Sequence, residues 1–402
     1  MRKYIAKILI WQTTRLLDKW KPVVIVVAGS VGKTSTTQAI AEVLSETKRV
    51  RATRHNYNSD VGVPCSVFGY DLPSTLANPF AWLAIYIKNE FILLGDPAFD
   101  TLVLELGTDK PGEIAEFSYL KPHIAVVTAV APEHMENFGS LDAVAHEELK
   151  VAQYSEETVC NREMVDAKYV QGLDVLWYDS SILKNYKTEP KSLGRQGKQI
   201  ASAAAWVGER VGIGKEATDL GLARLGPQPG RMQLLPGINK SVLIDDTYNS
   251  SPEANIAALD FLYEGKAPAR IALLGNMNEL GAYSEEAHSK VGEYCDPNKI
   301  DVVLTLGTDA NKYLAESAES KGCRVIRTAT PYQASDVIRE ELKRINKPGV
   351  IILCKGSQNG VFAEEAVKNL LANKTDSSKL VRQSDAWLRK KSKSFASLSR
   401  NR

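Results

Sequence analysis

The sequence predicts an α/β protein of two domains, each built on a mainly parallel sheet. Three observations predict it. The run Val23-Val24-Ile25-Val26-Val27-Ala28 is apolar at every position and leads through a glycine turn into a helical stretch. A second series of apolar runs, alternating with helical stretches, begins near Ser241. Between the two series lies Leu225-Gly226-Pro227-Gln228-Pro229-Gly230, a linker rich in Gly and Pro.

Residues 3–20 read as a helix, because Ile5, Ile8, Leu9, Leu16, Leu17 and Trp20 recur at helical spacing. Packing of this helix on the first domain is one reading. Arg2, Lys3, Lys7 and Arg15 leave a membrane-surface helix as the other. Pro22 stops it. The wholly apolar run that follows is the pattern of a strand buried on both faces of a parallel sheet. A helix is expected from Thr34 to about Glu46, with further strands at Thr101–Leu106 and Ile124–Thr128. In the second series the strands are Val242–Asp245, Ile271–Leu274, Val302–Leu306, Val325–Ile326 and Val350–Leu353. Helices Pro252–Glu264 and Tyr332–Ile345 lie between them, and this alternation is that of doubly wound domains. The expected division is an N-terminal helix (1–21), a first domain (22–226), a second domain (227–384) and a basic tail (385–402) without sustained apolar pattern.

Composition agrees. A chain of 402 residues suits two or three domains. Its 44% hydrophobic and 24% charged residues exclude disorder as the main state. Lys plus Arg (50) nearly equals Asp plus Glu (48), so the net charge of +2 argues against a nucleic-acid partner. The charge is uneven: residues 374–402 hold nine basic and two acidic residues, which leaves the body mildly acidic. Weak contact of that tail, or of the N-terminal helix, with a membrane surface is a further expectation. Cys65, Cys160, Cys295, Cys323 and Cys354 lie far apart, so reduced thiols and a cytoplasmic location are expected. No apolar run is long enough for a transmembrane helix, and the start does not read as a signal peptide.

The firmest motif is Gly29-Ser30-Val31-Gly32-Lys33-Thr34-Ser35, set between the first strand and its helix. Strand, glycine turn and helix N-terminus are what a phosphate-binding loop needs. Backbone N–H groups can turn inward around phosphate oxygens, and the helix N-terminus favours negative charge. Lys33 can neutralise β- and γ-phosphates, and Thr34 can place its hydroxyl on Mg²⁺. The longer GxxxxGK[ST] spacing fails, since Val27 stands at its first position. The alternative is a Gly-rich turn with a surface lysine. Glu105 and His134, each just after a strand, are candidate metal ligands, because open α/β sheets place their sites at strand ends. Taken alone, a Glu entering a loop reads as solvated and a lone His as structural.

Further segments carry a resemblance. They are NYNSDVGVP at 56–64, ELGTDKPGEI at 105–114, KPHIAVVT at 121–128 and EHMENFGSLDAVA at 133–145. The second half adds IDDTYNSSPEA at 244–254, LGNMNELGAYSEEAH at 274–288 and KGS at 355–357. With the phosphate loop, and in this order, they resemble the Mur ligases, the ATP-dependent ligases of peptidoglycan precursor synthesis. DDTYNSSP and GNMNELG are most similar to the branch that adds D-alanyl-D-alanine.

The resemblance implies a P-loop central ATPase domain followed by a Rossmann-like C-terminal domain. It implies amide formation from ATP, with Mg²⁺, through an acyl phosphate, in a cytoplasmic monomer. A UDP-muramoyl tripeptide and D-Ala-D-Ala would be the substrates. A ligase of the same fold joining another carboxylate and amine, folylpolyglutamate-synthase-like or polyglutamate-synthase-like, is the alternative, as is a non-catalytic nucleotide-binding homologue working through a partner. By position, Lys33 and the loop 29–35 would hold ATP. Thr34 and Glu105 would bind one Mg²⁺ and His134 a second. Asn56, Asn58 and Ser59 would face the substrate. Arg231, Asp246, Tyr248 and Asn249 would contact the nucleotide, although residues 245–252 also read as a helix-opening turn. The sequence departs from the family pattern in four places. Only about 21 residues precede the first strand, where a UDP-binding domain is usual. Glu148 stands where a carbamylated lysine is usual, with Lys150 two residues on. Gly194–Ile200 lacks the His and Asn of a GxHNxxN segment. Asn276 and Gln358 stand where Asp and Arg are common.

Overall fold

A computed structural model describes residues 2–53, 57–73, 78–188, 194–226 and 228–400, with side chains to residue 395. The chain divides into two compact units, the first of residues 1–191 and 196–226, the second of residues 192–195 and 227–402. Unit 1 holds strands β1 (Val23–Ala28), β2 (Val50–Ala52), β3 (Thr101–Glu105), β4 (Ile124–Val127), β5 (Glu157–Asn161) and β6 (Leu176–Tyr178). They form one sheet in the order β2-β3-β1-β4-β5-β6, parallel throughout. The strand β1 is central, and its residues Val24–Ala28 are buried, because apolar clusters cover both faces of the sheet. Four helices matter below: α1 (Arg2–Trp20), α2 (Lys33–Leu44), α3 (Gly62–Phe68) and α4 (Pro79–Leu94).

Unit 2 holds β7 (Gln233–Pro236), β8 (Val242–Asp246), β9 (Arg270–Gly275), β10 (Val302–Leu306), β11 (Val325–Thr328) and β12 (Ile351–Lys355). The order is β11-β10-β9-β12-β8-β7, and only β7 is antiparallel to its neighbour. Every strand expected from the sequence is present, with ends moved by a residue or two. Four strands were not expected. Of these, β2 and β6 are three-residue strands at the edges of the first sheet, and β7 ends on Pro236 at an edge of the second. Edge strands have little to bury, and β2 leaves little apolar pattern; β6 is apolar throughout but only three residues long. The fourth, β5, opens on Glu157 and closes on Asn161.

Both sheets reverse direction of winding beside a central strand. In unit 1 the chain passes from β3 on one side of β1 to β4 on the other, so the loops after β1, β3 and β4 meet at one edge. In unit 2 the chain returns to insert β12 between β8 and β9. Sites form at such switch points.

Where a frayed helix and basic tail were expected, Asp385–Arg400 is a helix. Its Lys391 is buried and paired with Glu364 and Glu365 (2.9 and 2.6 Å). Phe395 packs edge-on against Phe362 and Tyr332. Part of the basic charge therefore compensates buried carboxylates. All five cysteines are free and buried. Among the described residues no helix is long and apolar enough to cross a membrane.

Asp245, fully buried in β8, has one carboxylate oxygen satisfied by the Thr247 N–H (3.2 Å) and hydroxyl (2.6 Å). The other has no partner. Burial pushes its carboxyl from 3.8 up to about 6. The folded protein then binds a proton that the unfolded chain has released, so stability falls as pH rises between these values and is level above them. Urea unfolding of unit 2 across this range will show wild type losing up to about 3 kcal/mol relative to Asp245→Asn. A pH-independent difference between the two proteins would contradict it.

Candidate functional site

The phosphate loop of unit 1 is built by steric need. Gly29 has φ +117°, and a Cβ there would lie 2.5 Å from Thr128 Oγ1 and 2.9 Å from the Ala129 nitrogen. The loop after β4 is that close because Ser30 N–H donates to the Ala129 carbonyl (2.9 Å) and Ala131 N–H donates to Ser30 Oγ (3.1 Å). Gly32, at φ +86°, is the N-cap of α2 and makes no side-chain capping bond. Val31, Thr34 and Ser35 are half-buried around this turn.

Lys33, the first residue of α2, is buried, and its Nζ lies 3.2 Å from Glu133 Oε2. Burial works against its charge, but Glu133, Glu148 and Glu105 together hold its pKa well above the ordinary lysine value. Glu148 is buried at the end of the helix Leu141–Glu148, and its Oε2 accepts the Gly29 N–H at 2.7 Å. Burial raises its carboxyl to about 7, Lys33 pulls it down and Glu133 pushes it up again. Glu105 ends β3 beside Val27 of β1 and is buried. It accepts from Asn58 Nδ2 (3.3 Å), while Asn58 O accepts the Gly107 N–H (3.0 Å). His134 has φ +50°, an unfavourable backbone for a residue with a Cβ, and its Nε2 lies 3.4 Å from Asp109 and 3.6 Å from Glu133.

The structure thus brings Lys33, Glu105, Glu148 and the loop 29–35 together, with Asn58 beside Glu105 and His134 beside Glu133. Ser59 lies at the start of α3, its Oγ accepting the Gly62 N–H. Asn56 lies outside the described residues. Sequence reasoning missed Glu133, the direct partner of Lys33, although it precedes His134. Glu147 and Lys150 pair with each other at 2.6 Å, and Glu147 also accepts the Gly112 and Ile114 N–H groups.

Among the described residues no three His, Cys, Asp or Glu side chains gather as a metal site by themselves. The hydroxyl of Thr34 and the carboxylate of Glu105 are nevertheless hard oxygen donors of the kind Mg²⁺ uses beside phosphate oxygens and water. Three carboxylates around one lysine also leave an excess of negative charge for a cation to offset.

Unit 2 holds the other expected residues. Asp246 ends β8 opposite Lys355 of β12, and the two form a buried pair (2.6 Å). Met232 N–H also donates to Asp246, and Lys355 Nζ also reaches Asn249 O (3.0 Å). The Arg231 guanidinium lies 4.0 Å from the centre of the Tyr248 ring. Lys355 was missed as a site residue, though the segment KGS contains it.

Residues 85–189 match the Mur ligase middle domain, and residues 230–358 match the Mur ligase glutamate ligase domain. The chain belongs to the Mur ligase family. It is 28% identical over 384 residues to UDP-N-acetylmuramoyl-tripeptide–D-alanyl-D-alanine ligase of Escherichia coli K12, covering 88% of this chain and 77% of that protein. The enzyme of the same name from Bacillus subtilis is 28% identical, covering 87% and 76%. MurF from Acinetobacter baumannii superposes with a TM-score of 0.74 at 19% identity, covering 92% of this Mur ligase and 81% of its own chain, which speaks for the fold.

Gly29 is the strictest position of the loop. Gly29→Ala is expected to weaken ATP binding, read by calorimetry, by at least about tenfold while far-UV circular dichroism is unchanged, since a Cβ at this φ costs about 1–3 kcal/mol before its clash is counted. Binding equal to wild type would contradict the described turn.

Proposed function

We propose that this Mur ligase joins D-alanyl-D-alanine to a UDP-N-acetylmuramoyl tripeptide, driven by ATP. The observation that carries the ATP chemistry is the buried Lys33 at a helix N-terminus, ringed by Glu105, Glu133 and Glu148. The likeness to the D-alanyl-D-alanine ligases over nearly nine-tenths of the chain supports the substrate pair.

The reaction has two steps. A substrate carboxylate oxygen attacks the γ-phosphorus, and ADP leaves with the bridging oxygen. The amine nitrogen of D-Ala-D-Ala then attacks the acyl carbon, phosphate leaves, and the nitrogen loses a proton. The first step brings two anions together. Lys33 and the N-terminus of α2 offset that repulsion. Glu133 holds the lysine in place until phosphate oxygens replace its carboxylate, so little reorganisation is needed on binding. Thr34 and Glu105 would hold one Mg²⁺ and His134 a second, and the bound ions would supply neutralisation of phosphate oxygens. Glu148 orients the loop through the Gly29 N–H and, ionised above a pH of about 7, supplies the negative charge that a carbamylated lysine gives elsewhere in the family. Asn58 fixes Glu105. In unit 2, Asp246 with Lys355, and Arg231 stacked on Tyr248 beside Asn249, form the nucleotide-facing group.

The test is phosphate release from Mg·ATP with the tripeptide substrate, with and without D-Ala-D-Ala, and the mass of the product. Release that needs both, with a pentapeptide product, is expected. ATP binding without turnover on this pair would contradict the substrate assignment and point to another carboxylate and amine. Glu148→Gln keeps an oxygen for the Gly29 N–H and removes only the charge. It is expected to lower turnover by about tenfold or more; unchanged turnover would show that the charge plays no part.

A further inference from the structure

The described residues include fifteen large hydrophobic side chains that are exposed, and nine of them lie on α1 and α4. These helices are 19 and 16 residues long, so the concentration is far above that of the rest of the surface. The two lie side by side and parallel. Gln12 donates to Tyr86 O (3.1 Å) and Glu90 (2.8 Å), Arg15 donates to Glu90 (2.8 and 3.0 Å), and Lys19 donates to Leu93 O (2.6 Å). Beneath them Ala6, Leu9 and Trp82 pack with Val61 and Cys65. The pair is therefore a fixed part of unit 1.

Its outer face is apolar. On α1, Tyr4, Ile8 and Trp11 recur at intervals of four and three, on the side that borders α4. On α4, Leu83, Ile87, Phe91 and Leu94 make a stripe along the helix, with Phe91 70% and Leu94 79% exposed. Tyr86 and Glu90, which meet α1, lie next to this stripe, so the two stripes adjoin in one surface. The carboxylate at the seam, Glu90, accepts from Gln12 and is ion-paired with Arg15, which hold its pKa below the ordinary range. The helices carry six basic residues against two acidic ones. Lys7 flanks the α1 stripe on the side away from α4, and Lys88 flanks the α4 stripe on the side away from α1, where its Nζ reaches the Tyr70 ring. Apolar and aromatic groups in the middle with lysines at both margins are what a bilayer surface with anionic headgroups receives.

We infer that the α1–α4 face docks this enzyme on the surface of an anionic phospholipid bilayer. The helices lie on the membrane rather than span it, since neither is long and apolar enough to cross. Charge decides against a second copy as the occupant, because stacking two such faces would bring like charges together. The face is built from side chains that the nucleotide chemistry does not use.

The test is flotation of the full chain with phosphatidylcholine vesicles that contain or lack phosphatidylglycerol. The expected result is binding to the anionic vesicles alone, weakened by added salt. Two variants keep the test independent of folding: Ile87→Gln with Phe91→Gln removes apolar contact, and Lys3→Glu with Lys7→Glu and Lys88→Glu reverses the margin. Both sets replace exposed side chains, and both are expected to lower binding by at least about tenfold with ATP binding unchanged. The proposal is overturned if the wild type binds neither vesicle, if neither variant reduces binding, or if deletion of residues 396–402 alone abolishes it. It is equally overturned if the face proves to be a dimer contact, seen as a mass of two chains without lipid that the Ile87 and Phe91 changes reduce to one.

Discussion

The structure of unit 1 turns on one buried cation. Lys33 sits where the apolar strand β1 hands over to α2, and it could not stay charged there alone, since burial disfavours the ammonium form. Carboxylates from three other segments compensate it: Glu105 from the end of β3, Glu133 from the loop after β4, and Glu148 from a helix more than a hundred residues along. Each is brought there by the sheet order, which places β3 and β4 on either side of β1. The fold thereby arranges a compensated cluster of charges around Lys33 at the start of α2. The cost falls on Glu148, whose carboxyl is pushed up to about 7 by the same burial.

Unit 2 repeats the device in simpler form. Inserting β12 between β8 and β9 sets Lys355 opposite Asp246, a single buried pair at the strand ends. Its remaining side chains make stacked and capped arrangements around Tyr248, where Arg382 both donates to the Tyr248 carbonyl and pairs with Glu364. A group of charged residues that looks dispersed in sequence thus becomes two compensated clusters in space.

How much of this was legible follows from the range of each interaction. The loop 29–35 was readable because strand, turn and helix start are contiguous, and the central strands because burial on both faces leaves unbroken apolar runs. The short edge strands β2 and β7 bury little and wrote no such run, and the apolar Leu176-Trp177-Tyr178 of β6 is too short to stand out. Glu133 was passed over in favour of its neighbour His134, because its partnership with Lys33 exists only once the loop after β4 folds back over Ser30. Lys355 needs strand pairing across 109 residues to meet Asp246. The helix Asp385–Arg400 looked like a solvated tail because the carboxylates that hold Lys391 lie in a separate helix. The outer face of α1 was readable as one of two options, but its continuation on α4 depends on the pairing of Gln12 and Arg15 with Glu90.

If the charges around Lys33 serve transfer of the γ-phosphoryl group to a carboxylate, one carboxylate oxygen must end on phosphorus. The most direct measurement uses a tripeptide substrate with ¹⁸O in its terminal carboxylate, turned over with ATP and D-Ala-D-Ala, followed by mass analysis of the released phosphate. An acyl phosphate leaves one carboxylate oxygen on phosphorus, so the phosphate is predicted to carry one ¹⁸O. Phosphate without label, with turnover intact, would mean that water and not the carboxylate attacks the γ-phosphorus, and would contradict the ligase reading of this site.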